Sequence, residues 1–424
     1  MAFFKLLLIL VTLAALDVGW WRAADRRLHR RGAPRWCRAF LAIFMCVLLV
    51  YLALSLAWPD VVRGSRGPAP MIVHAVAYLW HFMVLPVLIV GMIGGALLRA
   101  IGRIRHRARR AAASRISSPS RPSSSAVAGR AFSRRQLLAS AAVAAAPLAA
   151  VAMGGGTLAQ MQARRLRRFN LQIPDLPTAL EGMTITHVSD THIGKFLHAS
   201  RLPEIADAVN ALGADFIVFT GDLIDAALDD LPAGIDFLRR LKPRCGMAIC
   251  EGNHDLFQNR GEFEWRIRDS GLPALIGEQR TLLYSPPYPR KGQTYPVQFL
   301  GLQWNPFDDW MNESFGYLHP LVRPDAFPIL LAHHPHAFDP AARSGIPLTL
   351  SGHTHGGQIM LTPNFGAGSL RFRYISGLYQ KPGSQLIVNN GIGNWFPLRI
   401  NAPAELGHVT LRRGRPDAAH LPEV

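Results

Sequence analysis

The chain has 424 residues, and its 46 Lys and Arg against 28 Asp and Glu give a formal net charge of +18. That length exceeds one ordinary domain, and four cysteines (Cys37, Cys46, Cys245, Cys250) exclude a disulfide-built scaffold. Residues 1–169 hold 25 basic and 3 acidic side chains and the remainder 21 and 25, so the excess sits among apolar runs and argues against a nucleic-acid partner.

Three apolar stretches come first, at residues 2–21, 40–58 and 71–98. Each approaches or exceeds the roughly 20 residues that span a bilayer as a helix. Pro86 inside the third predicts a kink. Seven arginines from Arg22 to Arg38 crowd the first connection, the second carries Arg63 and Arg66, and the third holds eleven between Arg99 and Arg135. The positive-inside rule therefore places loops one and three in the cytoplasm and loop two outside. Residues 111–135, rich in Ala, Ser and Pro, read as a basic flexible linker.

A fourth apolar segment covers residues 136–163. It follows Ser133-Arg134-Arg135-Gln136-Leu137-Leu138, which resembles a twin-arginine export signal. Ala150-Val151-Ala152 has small residues at the spacing of a cleavage site. Either an export signal or a fourth crossing places residues 170–424 on the external, periplasmic side of a multi-pass inner membrane protein. Arg164, Arg165, Arg167 and Arg168 lie on that external side and resist the orientation.

Beyond Met183 the pattern changes to short apolar runs that end in polar clusters. Residues 183–188 lead into Asp190 and His192, 216–220 into Gly221-Asp222-Leu223-Ile224-Asp225, and 247–250 into Gly252-Asn253-His254-Asp255. Residues 329–332 lead into His333-His334-Pro335, and 348–350 into Gly352-His353-Thr354-His355. Helix-like stretches lie near 202–212, 234–241 and 262–269, so the alternation predicts an α/β fold with its site at strand ends. Asp190 with His192, and His353 with His355, are two apart; at a strand end each pair projects to one side and offers two ligands to one locus. Carboxylate, imidazole and amide together suit Mn, Fe, Zn, Co or Ni better than Ca. Gly221, Gly252 and Gly352 each precede a proposed ligand and predict close backbone approach. Cys245 and Cys250 on one strand would stand about 16 Å apart at ~3.3 Å per residue, too far for a disulfide.

Those five motifs in that order resemble the calcineurin-like metallophosphoesterase superfamily. Gly352–Gln358 (GHTHGGQ) further resembles its bacterial membrane-attached phosphodiesterase branch with a twin-arginine leader. The resemblance covers the chain from Met183 to the strand-like run at 385–391. It implies a sandwich of two β-sheets flanked by helices, here preceded by transmembrane helices, and two divalent metal ions in one site. It implies Asp190, His192 and His355 on one metal, Asn253, His333 and His353 on the other, and Asp222 bridging. His254 would be the general acid, and Asp255 would orient it. His333 is preferred to its neighbour His334 because the branch pattern is His-x-Pro; His336 reads as a surface residue.

The implied reaction is phosphodiester or phosphomonoester hydrolysis, in which a hydroxide activated by the two metals attacks phosphorus in line. A lipid-linked (pyro)phosphate of the cell envelope is an alternative substrate, and Trp304, Phe307, Asp308, Asp309 and Trp310 are candidates to line its pocket. A non-catalytic metal-binding membrane sensor is the alternative of another class. A protein Ser/Thr phosphatase is disfavoured because no Arg-Gly follows Gly221-Asp222. A purple acid phosphatase is disfavoured because no tyrosine follows that motif.

Overall fold

The computed structural model describes residues 2–57, 70–113, 134–160, 164–287, 294–305, 307–362 and 365–415. Most of the basic linker and the second membrane connection, including Arg63 and Arg66, lie outside those residues. The chain divides into two compact units, residues 1–57 with 72–156, and residues 58–71 with 157–424.

The first unit is helical. Helix α1 covers Ala2–Arg30 and α2 covers Arg35–Ala57. Helix α3 covers Met71–Leu79 and is joined by a π-helical turn, Trp80–Val84, to α4 at Leu85–Ala113. Three of these helical stretches, at Leu7–Arg30, Arg35–Ser55 and Met71–Arg105, are long and apolar enough to cross a membrane. The expected break at Pro86 takes the form of the π turn. Proline has no N–H to donate and its ring would strike the carbonyl four residues back, so the preceding turn widens. Helix α1 also runs past the apolar stretch to Arg30, because arginine is a good helix former. It ends where Gly32 takes a positive φ of 66° ahead of Pro34.

Helix α5, Arg134–Gln160, carries the fourth apolar segment. Gly154 packs so closely on Val76 of α3 that a side chain there would press on it. The unit is pinned internally by a buried Asp17, which accepts a hydrogen bond from Trp80 Nε1 at 2.8 Å and lies 2.9 Å from His81 Nε2. Trp80 in turn meets Trp20 and Phe44 edge-on, at 4.8 and 5.0 Å between ring centres.

The second unit is a two-sheet sandwich, the architecture the resemblance implies. Its first sheet consists of β1 (Arg164–Ile173), β2 (Thr184–Val188), β3 (Phe216–Thr220), β4 (Gly246–Cys250) and the last strand of the chain, Ala404–Arg413. The second sheet starts with β5 (Glu278–Tyr284), β6 (Tyr295–Gly301), β7 (Phe327–Leu331) and β8 (Leu348–Ser351). A small hairpin of β9 (Met360–Thr362) and β10 (Phe365–Gly366) stands apart, and β11 (Gly377–Lys381) and β12 (Ser384–Val388) complete the second sheet. With Ala404–Arg413 as β13, the spatial orders are β1-β13-β2-β3-β4 and β11-β12-β8-β7-β6-β5. Strands β2, β3 and β4 are parallel, as are β6, β7, β8 and β12.

Alternation along β3 shows how the layers form. Phe216 and Val218 point into the core between the sheets, with Phe299, Ile329 and Leu350 from the other side. Ile217 and Phe219 point outward to helices α6 (Leu202–Asn210), α7 (Leu231–Arg240) and α8 (Arg260–Asp269). On the far sheet, α9 (Asp308–Leu318) and α10 (Phe338–Arg343) contribute Met311, Phe315 and Ala341 against Leu300 and Leu330. Burying both faces of the parallel strands is what makes their sequences continuously apolar.

The sandwich starts earlier than Asn170, because the arginines at 164–168 belong to β1. Arg164 pairs with Glu204 at 2.9 Å, and Arg165 pairs with the buried Glu405 at 2.7 Å. Both of these charges therefore serve the folded unit. All four cysteines are free.

Candidate metal centre

The parallel strands β2, β3, β4, β7 and β8 deliver all five motifs at their C-terminal ends. The chain turns sharply as it leaves each strand. Seven described non-glycine residues have positive φ, and five of them are Asp190 (53°), His192 (44°), Asp222 (57°), His353 (73°) and His355 (50°). Such conformations cost about 1–3 kcal/mol each and persist where surrounding structure enforces them, commonly at functional sites. Two glycines give the required room. A Cβ at Gly252 would overlap the Asp222 carboxylate, and one at Gly352 would overlap Ser189 and Asp190.

Three groups of converging atoms result among the described residues, one of them His192 with Asp225 and His254. Asp190, His192 and His355 present ligand atoms to one point, and Asp222, His333 and His353 to another. His192 Nε2 and His355 Nε2 stand 2.9 Å apart, with Asp190 Oδ1 3.2 Å from the latter. One oxygen of Asp222 lies between these last two groups, 3.4 Å from His192 Nε2 and 3.1 Å from His333 Nε2. The two-residue spacing of His353 and His355 therefore does not serve one locus as strand geometry predicted. Both residues lie past the end of β8 in left-handed turns, where strand alternation no longer applies, and they go to different groups.

The donor set fits divalent metals. His333 Nε2 and Asn253 Oδ1 are buried with no hydrogen-bond partner, an expensive state for polar atoms unless something is to bind them. His333 Nδ1 donates to the Thr220 carbonyl at 2.6 Å, which fixes the ring so that its Nε2 faces Asp222. His334 belongs to none of the groups; its side chain accepts the His336 amide. His336 is tied to Asp308 at 3.0 Å.

Electrostatics follow from the crowding. Burial alone would raise the Asp190 carboxyl, but the charges of His355 and His333 hold it well below its ordinary value. Burial opposes protonation of His192, yet its hydrogen bond to Asp190 and the charges of Asp222 and Asp225 lift it to about 10. His333 is likewise lifted against burial to about 9, chiefly by Asp222 and Asp190. His355 and His353 go the other way, pushed down mainly by burial, the former to about 4.

Asp255 is not at His254. Its carboxylate accepts the backbone N–H groups of Asp222, Ile224 and Gly252 at 2.9–3.0 Å, and so clamps the second motif to the third. The group beside His254 is Asp225, whose carbonyl lies 2.7 Å and carboxylate 3.2 Å from His254 Nδ1. The same carboxylate is 3.6 Å from His192 Nδ1. The signal was present in sequence as the second carboxylate of Gly221-Asp222-Leu223-Ile224-Asp225. Arg399 carries no motif at all: it is buried, and its Nη2 reaches His355 Nδ1 at 2.9 Å while Nη1 meets the Asn390 and Ala402 carbonyls.

Aromatic rings wall the site. Trp304 lies 5.0–5.7 Å from the rings of His333, His334 and His353, Phe372 lies 5.3 Å from His353, and Phe257 lies 4.3 Å from His254. Phe307 and Trp310 instead meet edge-on at the exposed surface.

Comparison with known proteins agrees with this geometry. The calcineurin-like phosphoesterase family matches residues 183–357. The metallophosphoesterase YkuE of Bacillus subtilis is 30% identical over 56% of this chain and 82% of its own. A zebrafish transmembrane protein with metallophosphoesterase domain is 30% identical over 57% of this chain, which spans 56% of that relative's length. A Campylobacter jejuni metallophosphoesterase is 28% identical over 56% of this chain and 61% of its own. The chain belongs to the calcineurin-like metallophosphoesterase family. Three helices long and apolar enough to cross a membrane precede that domain, and relatives from zebrafish and cattle are themselves named transmembrane proteins.

Proposed function

We propose that this chain is a membrane-anchored phosphoesterase with a dinuclear centre, in which Asp222 bridges two divalent ions. The observation that supports it best is the single Asp222 oxygen shared between two groups of ligand atoms, one of which includes an orphaned imidazole nitrogen. Asp190, His192 and His355 would hold the first ion; Asn253, His333 and His353 would hold the second. When bound, the pair supplies a water activated at neutral pH and positive charge against the phosphoryl oxygens.

The chain's own residues do the remaining work. His254 hands a proton to the departing oxygen, a contribution typically about 10²–10⁴-fold. Asp225 anchors His254 Nδ1 and so leaves Nε2 free to donate. Asp255 keeps the two motif loops in register. The test uses two esters, one with an activated phenolic leaving group and one with an alkyl leaving group. His254→Ala should slow the alkyl ester by about 10²-fold or more and spare the activated one, with metal content unchanged. Equal slowing of both esters, or loss of metal, would remove His254 from the acid role.

A lipid-linked phosphate or pyrophosphate substrate is favoured by exposed apolar side chains that follow the last motif in sequence. The segment after His355 exposes Leu361, Phe365 and Leu370, at 71%, 54% and 93%, an apolar concentration unusual for a soluble face. The arginine distribution supports an external catalytic unit, and the use of Arg164 and Arg165 in β1 ion pairs weakens the observation that opposed it. A reporter fused after Val424 that is active only in the cytoplasm would reverse this orientation.

A further inference from the structure

The membrane unit contains a groove of about 540 Å³ formed by α1, α4 and α5, a size within the usual range of ligand pockets. Its walls are apolar and lined with small residues, including Ala23 and Ala24 of α1, Gly91 and Ala96 of α4, and Ala146 of α5. Two arginines, Arg27 and Arg99, line it as well. Arg99 folds back along its own helix, its guanidinium next to Gly95.

Bringing two guanidinium groups to one apolar groove is unfavourable unless an anion joins them. Among the described residues of this unit the acids are Asp17 and Asp25. Asp17 is committed to Trp80 and His81, and Asp25 to Arg38 at 2.7 Å. No described ion pair engages Arg27 or Arg99, and both are exposed. An anion from outside the chain that matches an apolar wall ending in positive charge would join them. A basic pocket between membrane helices meets that description for lipid headgroups.

We propose that the groove holds one anionic phospholipid, its phosphate between Arg27 and Arg99 and an acyl chain along Val87, Leu88 and Met92. The occupant is chosen by charge and by medium. A free phosphate would leave the apolar wall unfilled, and a zwitterionic lipid would bring a third cation to two arginines.

The test uses the full chain in detergent, titrated with dioleoyl phosphatidylglycerol and followed by native mass spectrometry. One phosphatidylglycerol per chain should be retained over phosphatidylcholine of the same acyl composition. Arg27→Gln and Arg99→Gln should each weaken retention about fivefold, the value expected for one basic side chain at an anionic lipid surface. Arg22→Gln with Arg26→Gln, on the same helix but away from the groove, should change it less than twofold. Gly91→Leu keeps both arginines and meets open space at its Cβ, so it should fold normally while filling the groove, and should weaken retention at least fivefold. Hydrolysis of a soluble ester by each variant serves as the folding control. Equal retention of phosphatidylcholine would overturn the proposal, as would an effect of the control pair equal to that of Arg27 and Arg99. Displacement by millimolar inorganic phosphate would make the site a simple anion site, and unchanged binding in Gly91→Leu would place the lipid elsewhere.

Discussion

Replacing Glu251 by Gln isolates a buried charge at the edge of the metal centre. Glu251 is 2% exposed; one carboxylate oxygen accepts the Trp304 amide at 3.0 Å and the other has no partner. Burial is the main cause that pushes its pKa up to about 7, from 4.5. The folded protein thus holds a proton that the unfolded chain releases between those values. Folding stability contributed by this group is full below pH 4.5 and is lost as pH rises through about 7. The gap between 4.5 and about 7, at about 1.4 kcal/mol per unit, sets a ceiling of roughly 3 kcal/mol on that loss. Glutamine still accepts the Trp304 amide but carries no charge. The variant should therefore be more stable than the parent at pH 8 by up to that amount, with the difference vanishing below pH 4.5. Chemical denaturation of the metal-stripped chain in detergent, followed by tryptophan fluorescence at both pH values, measures it. A difference of the same size at both pH values, or a variant less stable at pH 8, would refute the charge argument.

Three further outcomes follow from the site. His333→Ala should weaken metal binding by at least about 100-fold, whereas His334→Ala should leave stoichiometry intact, as calorimetric titration with Mn would show. His192 and His333, at about 10 and about 9 in the metal-free chain, are protonated at pH 7.5; metal uptake should release about two protons per chain, read from titrations in buffers of different ionisation enthalpy. Asp255→Ala strands three buried backbone N–H groups and should cost about 3 kcal/mol or more of stability, while Asp225→Asn should chiefly slow alkyl-ester hydrolysis.

The apolar strands were legible because both their faces are buried, and the five motifs were legible because each occupies the abrupt end of such a run. The strand at Arg164–Ile173 is hidden by four arginines, of which Arg164 and Arg165 find their partners, Glu204 and Glu405, 40 and 240 residues away in sequence. The polar edge strand at Glu278–Tyr284 was hidden by its exposure. Asp255 adjoins His254 in sequence but Asp225 adjoins it in space. The carboxylate that reaches His254 comes instead from the loop after β3, 29 residues earlier. Arg399 was invisible for the same reason: it acts across a loop on His355, and nothing in its local sequence distinguishes it from a surface arginine.

The central claim is a two-metal phosphoesterase, and one measurement tests it most directly. The full chain in detergent, stripped by chelation and reloaded with Mn, is assayed on a chromogenic phosphodiester and the matching monoester while metal content is counted. Hydrolysis of at least one ester that disappears with chelation and returns as two ions bind per chain is the predicted result. Two bound ions with neither ester hydrolysed, or hydrolysis that survives complete removal of metal, would contradict it.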